Sequence, residues 1–167
     1  MIPANRRREW RRCAPIAVAL MASWQLGCRD SVAPLPLDSP ALALEQPIPA
    51  PGQSALRIAS IGDASGVEVP PVARTGIPLQ VTVTTYGGGC ISEDTTVVDV
   101  QPHSADVVPY QRWYQPKQNE GCTMELRIDR RAVQLVFDQP GIATVRVFGR
   151  GAPDGSVISV VRQVTVE

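Results

Sequence analysis

A single histidine, His103, serves the whole chain of 167 residues. That scarcity removes most enzyme classes built on an imidazole base, and most His-rich metal sites with them. No Gly-x-Ser-x-Gly elbow is present to pair with it. Charge is also thin, at 19% of residues and net zero. Its distribution is uneven: Arg6, Arg7, Arg8, Arg11 and Arg12 against Glu9 put +4 on residues 1–28, which leaves −4 on the rest. A mildly acidic body lacks the clustered basic surface that phosphate backbones require, so nucleic acid is not an expected partner. Beyond residue 28 no window of eleven or more residues repeats at 3.6, so no amphipathic helix is expected. Aromatics are few, 5% in all, and Trp113 is the only tryptophan after residue 28. Against these shortages stand 44% hydrophobic residues, enough to pack one domain of this length.

The N-terminus reads as an address. Arg6–Arg12 forms a basic head, and the apolar run Ala14–Trp24 follows it. Eleven residues of helix cover about 16 Å, far less than the roughly 30 Å of bilayer hydrocarbon. The run therefore reads as a signal-peptide core, closed by Gln25-Leu26-Gly27-Cys28 and the polar Arg29-Asp30. This segment resembles a bacterial lipoprotein signal. The resemblance implies that residues 1–27 are removed, that Cys28 is lipidated, and that the protein is held at the membrane of the cell envelope. Gln25 departs from the family, which usually has an aliphatic residue there. Arg29, where members kept at the inner membrane carry aspartate, favours the outer membrane. The rival is ordinary secretion with cleavage after Ala33, for which Pro34 is an unfavourable next residue.

Four cysteines divide along the same line. Cys13 falls in the segment to be removed and Cys28 takes the lipid. Cys90 and Cys122 remain as an even pair in an oxidising compartment, where a disulfide is expected and two buried thiols are the alternative. No further ligands lie near enough to make a zinc site, and no cofactor is expected.

Residues 28–54 contain Pro34, Pro36, Pro40, Pro47, Pro49 and Pro51 and read as an extended linker, because proline removes donors and fixes φ. From residue 55 to 167 the period is two. Leu79, Val81 and Val83 alternate with Gln80, Thr82 and Thr84; Met124, Leu126 and Ile128 with Glu125 and Arg127; Val133, Leu135 and Phe137 with Ala132, Gln134 and Val136; and Ala143, Val145 and Val147 with Thr144 and Arg146. Further strands are expected over 55–61, 95–100, 105–113 and 157–166. Turn signals separate them: Gly87-Gly88-Gly89, Asn119-Glu120-Gly121, Gln139-Pro140-Gly141 and Asp154-Gly155. Such a pattern predicts an all-β antiparallel sandwich of about seven or eight strands. The stretch Val133–Val166, with Phe137-Asp138-Gln139-Pro140-Gly141 at a strand corner, resembles the last third of bacterial immunoglobulin-like domains. That resemblance implies the immunoglobulin-like type of sandwich and says little about function.

Candidate chemistry is sparse. Glu93, Asp94, Asp99 and Asp106 form an acid-rich region that, with His103, outlines a small envelope hydrolase as the alternative function; solvated loop acids are the ordinary reading. No Asp-x-Asp-x-Asp-Gly spacing supports calcium. Gly62-Asp63-Ala64-Ser65-Gly66 reads as a turn. Gly87–Gly89 lacks a following helix for phosphate binding and reads as the tight turn that places Cys90. The richest segment is Tyr110–Lys117. In an extended strand Tyr110, Arg112 and Tyr114 share one face, opposite Gln111 and Trp113. The expectation is that Tyr110, Arg112 and Tyr114 are exposed for a protein or glycan partner and that Trp113 packs in the core. A non-catalytic, lipid-anchored interaction module is the function these observations favour.

Overall fold

The computed structural model describes residues 32–33 and 42–167. The signal segment, Gly27 and Cys28 lie outside the described residues. Eleven strands are formed among the described residues: β1 Val32–Ala33, β2 Ser54–Ile58, β3 Ser60–Gly62, β4 Val67–Glu68, β5 Val72–Ala73, β6 Leu79–Gly87, β7 Ile91–Gln101, β8 Ser104–Tyr114, β9 Arg127–Leu135, β10 Gly141–Gly151 and β11 Val157–Val166. No α-helix occurs among the described residues, and no helix there is long and apolar enough to cross a membrane.

The strands make one curled, mixed sheet whose inner faces pack on each other as a sandwich-like all-β body. β6 pairs with β9 and β4 on one side. On the other, β7, β8, β10 and β11 follow in order. β3 joins the two sides, pairing with β6 through Ser60 and with β10 through Arg150 and Gly151. The core draws on both faces: Val81, Val83 and Leu135 from one, Val107, Val145, Val147 and Val164 from the other, all fully buried. Val81, Val83, Leu135, Val145 and Val147 are alternating residues of the sequence pattern, so the period of two locates much of the core.

Three features differ from the expectation. First, the sheet is not wholly antiparallel. The tight turn at Pro102–His103 folds β8 back between β7 and β10, so Ser104–Val107 runs parallel to Thr144–Val147. β5 likewise runs parallel to β11, and β3 to β10.

Second, the expected strands around Met124–Ile128 and Val133–Phe137 are not two strands with matching buried faces. Ile128 and Val133 lie an odd number of residues apart, so one continuous strand cannot bury both. β9 takes Arg131 and Leu135 inward with Val133 half-buried between them, and leaves Met124, Leu126 and Ile128 exposed.

Third, the linker is not free up to residue 54. Leu42 packs beside Ile58, Val108, Tyr110 and Phe148 in a second, smaller core. The Gln46 backbone N–H donates to the Leu56 carbonyl at 2.8 Å, and the Gln46 side chain accepts from the Leu56 N–H at 2.8 Å. One glutamine side chain thus extends the β2 edge by a mimic of strand pairing, and residues 42–53 lie on the body instead of extending its reach.

Candidate functional site

A cleft of about 540 Å³ opens where this strap crosses β2 and β8. Its walls are Glu45–Ile48 from the strap, Ala55 and Arg57 from β2, Trp113 from β8, Arg150 from β10, and Asp154–Gly155 from the following hairpin. Strand register explains the meeting. Ala55 stands opposite Trp113 and Arg57 opposite Gln111, so Arg57 is the diagonal neighbour of Trp113 on the same face. The guanidinium carbon of Arg57 lies 5.6 Å from the centroid of the indole, a cation–π contact.

The polar groups of the cleft are unevenly satisfied. Arg150 pairs with Glu45 and donates to the Gly155 carbonyl at 2.7 Å. The Asp154 carboxylate accepts from the Ser156 N–H at 3.1 Å and from its hydroxyl at 2.9 Å, and these bonds hold its pKa below the usual carboxylate value. Arg57 is different. Its Nε is buried with no hydrogen-bond partner. Burial, and then the charge of Arg150, lower its pKa, with Glu45 opposing. A buried guanidinium N–H without an acceptor is costly, and the guanidinium that carries it stands at the wall of the cleft beside the indole.

The predicted binding residues are not brought together. Tyr110 is fully buried among Ile58, Val108 and Phe148, which corrects the expectation that it is exposed. The strap is the cause: Leu42 covers that position, and the Leu44 backbone hydrogen-bonds the phenol. Burial is the largest influence on its pKa and raises it. Trp113 is half-buried at the cleft, not packed in the core. Arg112 and Tyr114 point to the opposite face and line a second cleft of about 510 Å³ beside the Cys90 loop. There Arg112 bridges Asp94 at 2.6 Å, and the Tyr114 hydroxyl donates to Glu120 at 2.5 Å.

The acids of the alternative reading are each engaged. Glu93 pairs with Arg131 at 3.3 Å and Asp94 with Arg112. Asp106 accepts from Nε and Nη2 of Arg146, its register partner on β10, at 2.6 and 2.8 Å. Asp99 accepts from the Gln101 amide at 3.0 Å. His103 is exposed in the β7–β8 turn, and the Ser65 hydroxyl donates to Asp63 at 2.6 Å within its own turn. Among the described residues no group of three His, Cys, Asp or Glu is placed to hold a metal ion.

Cys90 and Cys122 form a disulfide with Cα atoms 5.2 Å apart. It joins the β6–β7 turn to the segment leading into β9, as a staple at one end of the body. The glycines before it are required. Gly88 and Gly89 have φ of +116° and +59°, and a Cβ on them would lie 2.1 Å from the Glu125 carbonyl oxygen and 2.5 Å from that of Thr123.

Sequence reasoning missed Arg57, Glu45 and Arg150. Their meeting depends on β2 pairing with β8 and on the docked strap, contacts that no local pattern encodes. Comparisons with protein families, with curated proteins and with solved structures return no match to this chain.

Proposed function

We propose that the chain is a non-catalytic lipoprotein of the bacterial cell envelope, anchored through Cys28, whose domain binds a protein or glycan partner in the Trp113 cleft. One observation carries the choice of site: the Arg57 guanidinium lies against an indole face with its Nε buried and unpartnered, beside an open cleft. An aromatic face with a polar donor in need of an acceptor is the chemistry of a recognition hot spot. The hydrolase alternative ranks second because Glu93, Asp94 and Asp106 already neutralise arginines. We also assign the sandwich to the immunoglobulin-like type, with β6–β9 and β10–β11 as its B–E and F–G pairs. The β7–β8 hairpin, which sets a parallel strand beside β10, is this chain's departure from that type.

The test of the site is capture from envelope extract with the full anchored chain as bait. Trp113→Ala and Arg57→Gln should each lower recovery of the partner about tenfold or more, while Arg112→Ala, on the opposite face, should not. Equal recovery with all three would remove the cleft from consideration; selective loss with Arg112→Ala would move the site to the second cleft. The anchor is tested separately. Cys28→Ala should leave the protein in the soluble fraction or stop its maturation, since two or three acyl chains hold far more firmly than one. Unchanged membrane partition and mass in that variant would discard the lipid anchor.

A further inference from the structure

The row Met124, Leu126 and Ile128 is the most exposed apolar feature of the body. Leu126 and Ile128 are 71% and 58% accessible, and Met124 is fully so. Alternation in an extended segment puts the three side chains on one face, and Tyr86, the cross-strand partner of Ile128, stands beside them. The row is also held firmly. The disulfide fixes its start at Cys122, the chain passes tightly over Gly88 and Gly89, and from Arg127 onward it is paired with β6.

Its other edge is open. β9 pairs with β6 alone, and residues 122–126 make no backbone–backbone hydrogen bond among the described residues. Exposed edges are usually blunted by charged side chains, proline or a bulge. Residues 122–130, Cys-Thr-Met-Glu-Leu-Arg-Ile-Asp-Arg, contain no proline, and their charges, Glu125, Arg127, Asp129 and Arg130, are of mixed sign.

We propose that this edge is an interface between two copies of the chain, paired antiparallel about a twofold axis at Leu126. The segment is self-complementary, as a twofold interface demands. Centred on Leu126, the register sets Leu126 against Leu126 and Met124 against Ile128 of the other copy. It also places Glu125 opposite Arg127, once on each side of the axis. Both charged residues are exposed; Arg127 already pairs through Nε with Asp129 at 2.9 Å, so the contact with Glu125 falls to its remaining guanidinium nitrogens. Neighbouring registers fail by the same rule. A centre at Arg127 or at Glu125 faces like charges, and a centre at Ile128 places Leu126 against Arg130. Pairing would satisfy the open backbone edge and set the two apolar rows side by side on one face, where cross-strand neighbours shield each other's flanks.

The test uses the full chain in its native membrane and after detergent extraction. Leu126→Cys places a thiol at the axis, where two copies oxidise to a covalent dimer. Gln134→Cys, on the same strand and face but far from the axis, serves as control. Non-reducing electrophoresis should show at least tenfold more dimer for the first. Sedimentation of the extracted protein should then show Glu125→Arg weakening the dimer about tenfold, and adding Arg127→Glu in the same chain should restore it. Equal cross-linking at both positions would overturn the proposal. So would failure of the second charge reversal to rescue the first. A mixed disulfide of Leu126→Cys with a different protein would overturn it in favour of a foreign strand.

Discussion

Replacing Arg131 by alanine should cost about 3–5 kcal/mol of folding stability, more than any surface arginine of this chain. The side chain is 8% accessible, lies between the two faces of the sheet, and ties β9 to the strands opposite. Nη1 donates to the Tyr110 carbonyl at 2.7 Å and, at longer range, to the Asp94 and Thr95 carbonyls where β7 shifts register. Nε lies 3.2 Å from the Thr85 hydroxyl and 3.3 Å from Glu93.

Burial lowers the Arg131 pKa, with Glu93 the largest opposing influence, so the charge is kept inside at a free-energy cost. Nη2 has no partner. Alanine would remove the donor to the Tyr110 carbonyl and to the Thr85 hydroxyl and open a cavity where the guanidinium lay. Glu93 is 44% accessible and can return to water once Arg131 is gone, whereas Glu93→Gln leaves the buried guanidinium without its largest compensating charge and should itself cost about 3 kcal/mol. Urea unfolding checks both variants. With a slope near 2 kcal/mol/M, the alanine midpoint should fall by roughly 2 M. A loss below about 1 kcal/mol would mean that the carbonyls find water and that the arginine is a passenger.

Removing the disulfide should have an effect of similar size by a different route. The bonded residues are 32 apart in sequence, and closing a loop of that length lowers the entropy of the unfolded chain by the equivalent of about 3.7 kcal/mol. Domains of this size hold about 5–15 kcal/mol in all, so Cys90→Ser with Cys122→Ser should remain folded but lose roughly 10–15 °C in melting temperature. Calorimetry of the double variant and of reduced native protein should agree. The local effect should be larger than the global one. Without the bond, residues 122–126 are held only by their passage over Gly88 and Gly89, so hydrogen exchange should rise there before it rises in β10 or β11. A melting temperature within about 3 °C of the native value would show that the unfolded chain is already constrained near these residues.

Much of this was legible in the chain. Alternation at Leu79–Val83 and Ala143–Val147 named core residues that are buried in the structure, because a strand with one wet face leaves that signature wherever it pairs. Export-style cysteine counting named the Cys90–Cys122 bond, and the glycine triplet named the turn that places it. Such features are local: period, turn chemistry and an even pair of thiols require no knowledge of what lies across the sheet.

The candidate site was not legible, and the reason is physical. Tyr110 and Trp113 were assigned to the wrong environments because burial depends on what covers a strand, and the cover here is a proline-bearing strap whose docking rests on Leu42, Gln46 and Glu45. Met124, Leu126 and Ile128 carry a flawless strand signature yet lie in water, because an odd spacing from Val133 and Leu135 forced one set outward and the packing around Arg131 chose which. Alternation states that a strand has an apolar face. Long-range pairing decides where that face points, since each register is a sum of contacts between residues tens of positions apart.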